Sequence, residues 1–180
     1  MMLNTITSGP TGQDAGLPPV LLVHGLFGSA KNLGGLARRL DPTRKVVSVD
    51  MRNHGDSAHD PDHSYPALAD DLAQVIADHG GEVDIVGHSM GGKTAMVLAL
   101  TQPALIRRLT VLDIAPIAYR HSQQKYVDAM LGLDLSGLIL RSEADRRLAQ
   151  SVHEPGVRAF LLQSLDLKAD PPRWKLNLDV

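Results

Sequence analysis

The chain contains no cysteine, which removes disulfide frameworks, thiolate metal sites and a cysteine nucleophile together. Its formal net charge is only −2, so no broad electrostatic footprint points to nucleic acid or to an anionic membrane surface. Long hydrophobic runs are missing as well: nothing approaches the roughly 20 consecutive apolar residues of a membrane span. Residues 1–16 hold no basic patch followed by an apolar stretch of signal-peptide length. Internal repeats and low-complexity tracts are absent. What remains is an ordinary globular composition, 180 residues of which 43% are hydrophobic and 21% charged, enough for one well-buried core. These readings predict a cytoplasmic protein that works on a small molecule, with no nucleic-acid partner and no membrane partner.

Four short runs are apolar almost throughout, at residues 20–23, 45–50, 83–86 and 109–112. Such runs, spaced by helical patterns, indicate parallel strands covered on both faces, and the expected class is α/β with a mostly parallel sheet flanked by helices. Helices are expected over 32–40, over 66–79 with Pro66 in its first turn, and over 92–101, stopped by Pro103. Leu3 to Ile6 suggests a further edge strand. From Ile117 the texture changes to helical patches at 123–131, 143–152 and 157–165, broken by Gly132, Pro155 and Pro171-Pro172. The expected organisation is a core over 1–116 and a helical cap segment over 117–180.

Gly87-His88-Ser89-Met90-Gly91 runs directly off the third apolar stretch and so places Ser89 on a strand-to-helix turn, where larger side chains two positions away would collide with neighbouring backbone. Ser89 is the candidate nucleophile. In a parallel sheet the loops after the strands converge on one crevice, which also receives His24-Gly25-Leu26-Phe27-Gly28. The main-chain N–H groups of Leu26 and Met90 are the candidate oxyanion hole, the latter aided by the helix dipole. Asp113 ends the strand after the Ser89 helix, and right-handed crossover makes the two strands neighbours, about 4.8 Å apart. Asp113 is the candidate acid that orients an imidazole, its alternative being a carboxylate that caps the turn before Pro116.

The loop Asp50-Met51-Arg52-Asn53-His54-Gly55-Asp56-Ser57 is expected to bond to itself and to backbone, with Gly55 at positive φ, rather than to act in catalysis. His24 and His88 are expected to be packed, hydrogen-bonded residues. His59, His63, His79, His121 and His153 fall in polar, surface-like settings.

Read in order, His24-Gly25-Leu26-Phe27-Gly28-Ser29, the 50–57 loop, Gly87-His88-Ser89-Met90-Gly91-Gly92-Lys93 and Asp113-Ile114-Ala115-Pro116 resemble the α/β-hydrolase superfamily. Within it the likeness is to YbfF-type bacterial esterases and their mitochondrial α/β-hydrolase-domain relatives, to which Ser142-Glu143-Ala144-Asp145, the stretch 157–162 and Trp174-Lys175-Leu176-Asn177 are also similar. The resemblance implies a cofactor-free, metal-free serine esterase or thioesterase acting on small acyl esters, with the acid on the strand after the nucleophile. It also implies a histidine in a glycine-containing loop beyond the cap, through further strands and helices. The sequence given stops at Val180, which suggests a C-terminally truncated copy: a hydrolase severely impaired for want of its general base, with residues 109–112 as an exposed, association-prone edge.

Two rival readings belong to other classes. One is a non-catalytic binding module that keeps the pocket without turnover. The other takes Gly87 to Thr94 as G-x-x-x-x-G-K-T, a phosphate loop in which Lys93 reaches phosphates and Thr94 holds magnesium; it leaves the His24-Gly25 and 50–57 loops without a role.

Overall fold

The computed structural model describes residues 1–10, 17–120 and 122–180; His121 therefore lies outside the described residues. The chain divides into two compact units, Met1–Pro116 and Ile117–Val180.

In the first unit, β1 (Thr5–Ser8), β2 (Val20–Val23), β3 (Val46–Val49), β4 (Val83–His88) and β5 (Ile106–Leu112) form one sheet in the order β1-β3-β2-β4-β5. The pairs β2–β3, β2–β4 and β4–β5 are parallel, and β1 alone runs antiparallel, along β3. The apolar runs lack polar alternation because helices cover both faces. Leu21, Val23, Val47, Val49 and Ile85 share a core with Leu68, Leu72 and Ile76 of α2 (Tyr65–Asp78) and Ala95 and Leu98 of α3 (Met90–Thr101). On the other face Val20, Leu22, Val46 and Val86 meet Leu36, Ala37 and Leu40 of α1 (Gly34–Leu40). The two-residue period of the strands sorts these sets.

Helix boundaries follow local chemistry. Ser64 caps α2, its Oγ accepting from the Ala67 N–H at 3.4 Å, and Pro66 occupies the first turn, where its missing N–H is no loss. The helix expected from residue 32 instead begins as a 3-10 turn, Ala30–Leu33, before α1. Asn32 is the cause: its Oδ1 turns back to accept the Ser29 N–H at 2.5 Å and tightens the first turn. Strand β5 starts three residues earlier than the apolar run 109–112. Its second and third residues are arginines, and Arg107 is held by Asp84 of β4 (Nε to Oδ1, 2.7 Å), which also accepts from Arg44 (Nη2 to Oδ2, 2.7 Å). Burial opposes ionisation of Asp84, but these two guanidinium partners together hold its carboxyl below the ordinary value. Among the described residues β5 is an edge strand, and Arg108, Leu109 and Thr110 are exposed.

The second unit holds α4 (Gln124–Leu131), α5 (Arg141–Leu148) and α6 (Pro155–Leu161) around buried Met130, Leu138, Ala144, Leu148, Leu161 and Leu165. Arg158 of α6 donates to Asp145 of α5 at 2.9 Å, and Trp174 Nε1 donates to the Met130 carbonyl at 3.0 Å. The expected helix 157–165 ends sooner, at Leu161. It gives way to a 3-10 turn and an unanticipated hairpin, β6 (Leu165–Asp166) with β7 (Arg173–Trp174). Two-residue strands are too short to leave a hydrophobic period in the sequence.

Candidate active site

Between the end of β4 and the start of α3 there is one residue, Ser89, at φ 49 and ψ −114. For a residue with a side chain this backbone is strained, at a cost of about 1–3 kcal/mol, and it persists only where the surroundings enforce it. Here the Ser89 N–H donates to the Leu112 carbonyl of β5 and its own carbonyl accepts from Lys93 N, both at 3.0 Å. The flanking glycines are a matter of space. A Cβ on Gly91 would lie 2.5 Å from the His24 carbonyl oxygen and 2.6 Å from that of Val23, and one on Gly87 would run into the Gly91 backbone. Gly25 is similarly pressed: its Cβ would stand 3.1 Å from Ser89 Cβ and 2.7 Å from His88 Nδ1. Ser89 is half-buried, and among the described residues its hydroxyl makes no hydrogen bond.

The loop after β2 approaches this serine from the neighbouring strand. Gly28 N donates to Gly25 O at 3.0 Å, closing a turn whose third residue, Phe27, has φ 64. That position ordinarily takes glycine or asparagine. The Phe27 N–H donates to His54 Nε2 at 3.2 Å. The amides of Phe27 and Gly28 are thus engaged, whereas the Leu26 N–H has no partner among the described residues. Met90 is the first residue of α3, so its N–H has no intrahelical acceptor and lies at the positive end of the helix dipole.

The 50–57 loop holds the segment 24–30 through three ties. Asp50 Oδ1 accepts from Ala30 N at 2.7 Å, while its Oδ2 accepts from Asp56 N at 2.9 Å and Asn4 Nδ2 at 2.8 Å. His24 Nε2 accepts from Met51 N at 3.0 Å, and its Nδ1–H donates to Gly25 O at 2.8 Å. His54 makes the reciprocal tie: Nε2 accepts from Phe27 N, and Nδ1–H donates to Arg52 O at 2.8 Å. An amide donor facing each Nε2 fixes both rings as neutral Nδ1–H tautomers. Burial pushes both pKa values down, that of His54 to about 3 with the nearby His24 adding to the effect. Arg52 anchors the loop to α2 through Asp71 (Nε to Oδ2, 2.6 Å), and Gly55 sits at φ 59.

Three histidines depart from their expected settings, among them His79 at the end of α2, which is half-buried with its Nδ1 enclosed and unbonded among the described residues. His63 is half-buried and stacks on His54 with ring centroids 5.7 Å apart, its Nδ1 3.1 Å from Asn53 Nδ2. A turn of polar residues hid this tertiary contact. His88, expected to be hydrogen-bonded, is half-buried against Gly25 and makes no hydrogen bond among the described residues, because the strained turn aims it at a glycine rather than at a polar group. His24 is packed and bonded on both nitrogens.

Asp113 follows β5, whose last residue, Leu112, pairs with His88, so that Ser89 and Asp113 leave adjacent parallel strands at the same level. Asp113 is exposed, at φ 54, and among the described residues its carboxylate caps no turn. The phosphate-loop reading loses its magnesium ligand here. Thr94 is fully buried and its hydroxyl donates to the Met90 carbonyl at 3.0 Å. No group of three metal-ligating side chains occurs among the described residues, and no helix among them is long and apolar enough to cross a membrane.

A mostly parallel sheet that turns through a strained serine into a helix, beside a loop with a spare amide, is the architecture of an α/β hydrolase, and the chain belongs to that family: the model of the alpha/beta hydrolase fold matches residues 18–154. Among individual proteins, it is 41% identical over 175 residues to the sn-1-specific diacylglycerol lipase ABHD11 of Mus musculus, covering 92% of this chain and 57% of that one. It is 39% identical over 164 residues to esterase YbfF of Escherichia coli (strain K12), covering 90% of this chain and 63% of that one. A solved structure of a marine microorganism esterase superposes with a TM-score of 0.90 at 35% identity, over 99% of this chain and 69% of the other. The chain therefore spans somewhat more than half the length of these curated relatives.

Proposed function

We propose that the protein is a serine hydrolase that cleaves small acyl esters or thioesters, with Ser89 as nucleophile, Asp113 as the orienting acid and the Leu26 and Met90 N–H groups as the oxyanion hole. The observation that carries this reading is the pairing of a strained, unbonded Ser89 with two amide donors that nothing else engages. Ser89 Oγ adds to the acyl carbon, and the negative charge that gathers on the carbonyl oxygen is received by the two amides. Collapse of this adduct expels the alcohol or thiol, and water releases the acid from the acyl-serine. No cofactor is required. That the mouse relative is named a diacylglycerol lipase and the bacterial one an esterase supports an ester substrate.

The proton of Ser89 needs an imidazole. Both nitrogens of His24 and of His54 are bonded to backbone, and no described histidine hydrogen-bonds Ser89. In any longer form of the protein that supplies that histidine, Asp113→Asn is expected to lower hydrolysis by about 10⁴-fold. The direct test is labelling of the purified chain by a fluorophosphonate. Labelling that disappears in Ser89→Ala supports the reading; saturable ATP binding lost in Lys93→Ala, with no serine labelling, overturns it.

A further inference from the structure

We propose that His54 is a positioning residue that sets the Leu26 oxyanion donor, acting through the Phe27 peptide. The inference rests on the hydrolase reading above and extends it to a side chain outside the reacting groups. Leu26 and Phe27 are the two central residues of the turn closed by Gly28 N and Gly25 O. Such a turn places its third residue at positive φ, and Phe27, at φ 64, is held there although it carries a bulky side chain. The Leu26 N–H belongs to the neighbouring Gly25–Leu26 peptide, one Cα away; release of Phe27 from positive φ would loosen the turn that Gly28 N and Gly25 O close and with it the hold on that neighbouring amide.

Two contacts oppose that relaxation. The Phe27 ring is buried, and the Phe27 N–H ends on His54 Nε2. His54 is itself fixed from three sides: Nδ1–H donates to Arg52 O, His24 packs at 5.1 Å and His63 stacks at 5.7 Å. The His24 tie to Met51 N returns from the oxyanion loop to the 50–57 loop, so the two loops are cross-braced. Only the His54 bond bears on the strained peptide itself.

The two ring nitrogens of His54 can be tested separately. Glutamine can present its carbonyl oxygen near the Nε2 position and retain the acceptor for Phe27; asparagine can present its amide near Nδ1 and retain only the bond to Arg52 O. In the full 180-residue chain, Ser89 phosphonylation by a fluorophosphonate is followed against probe concentration, and amide exchange at Leu26, Phe27 and Gly28 is measured on the same samples. Removing an oxyanion donor outright costs about 10²–10³-fold; a mis-set donor in His54→Asn is expected to lower the limiting rate by about 10- to 100-fold, with the half-saturating concentration unchanged. Phe27 exchange should accelerate in the same variant. His54→Gln should restore most of the rate and of the protection.

A merely structural role would lower stability in both variants and leave their limiting rates alike, so equal rates for asparagine and glutamine would overturn the positioning. So would unaltered Phe27 exchange in His54→Asn. Failure of the underlying hydrolase reading shows up differently, as labelling that survives Ser89→Ala or as saturable ATP binding lost in Lys93→Ala, while the exchange measurement still reports the brace without any turnover.

Discussion

Acidification from pH 7 to pH 5 should weaken this fold through its buried histidines, and His54 supplies the clearest magnitude. In the unfolded chain its imidazole takes up a proton near pH 6.5. In the folded protein Nε2 already accepts from an amide and the ring is buried, so uptake is deferred to about pH 3. Over the window between those values the unfolded state binds more protons than the native state, and stability falls as pH falls. For this one residue the loss between pH 7 and pH 5 is about 2 kcal/mol, approaching about 1.4 kcal/mol per pH unit. His24 moves in the same direction for the same first cause, burial. The carboxylates held low, Asp84 and Glu143, start to lose their contribution only below their unfolded values near 4, so pH 5–7 isolates the histidines. Urea unfolding of the parent chain and of His54→Gln at pH 7, 6 and 5 measures the effect. The parent should lose about 2 kcal/mol more than the variant across that range. His63 and His79, also lowered by burial, are common to both proteins and cancel. Parallel pH dependences would refute the assignment of His54 as a neutral, amide-bonded ring.

Two further outcomes concern the framework beneath the site. Gly91→Ala forces a Cβ to within 2.5–2.6 Å of two β2-side carbonyl oxygens and should destabilise the fold by about 1–3 kcal/mol, read as a lower unfolding midpoint at unchanged m-value. Asp84→Asn leaves Arg44 and Arg107 facing a neutral amide at the opposite end of β4 from Ser89; we expect a loss of about 1–3 kcal/mol, with Ser89 labelling by a fluorophosphonate retained in the folded fraction.

Much of the first unit was legible because burial on both faces of a parallel sheet forces unbroken apolar runs. Val20 to Val23 became β2 at the expected bounds, and the weak signal around Leu3 to Ile6 resolved into β1 at Thr5–Ser8. The turn at Ser89 was readable since its glycines answer steric demands made within a few residues. Strand β5 was underestimated because Arg107, near its start, is satisfied by Asp84, 23 positions back in the chain. The hairpin β6–β7 was invisible for want of length.

At the site, the Gly25–Gly28 loop announced itself by its glycines, yet nothing in the sequence said that Phe27 would take the positive φ. The cluster of His24, His54 and His63 was equally hidden. Their ring contacts join the loop after β2 to two distant turns of the β3–α2 connection, and a single chain shows no pattern for that.

By itself the sequence determined the layered sheet, the serine turn and the exclusion of cysteine chemistry, because each depends on residue type and on spacing over a few positions. Only the tertiary structure decided which amides are left unengaged, which histidines are neutral braces and which aspartate serves the framework. Those properties depend on hydrogen-bond partners brought together from distant loops, and a donor's availability is settled only when every competing acceptor has been placed in space.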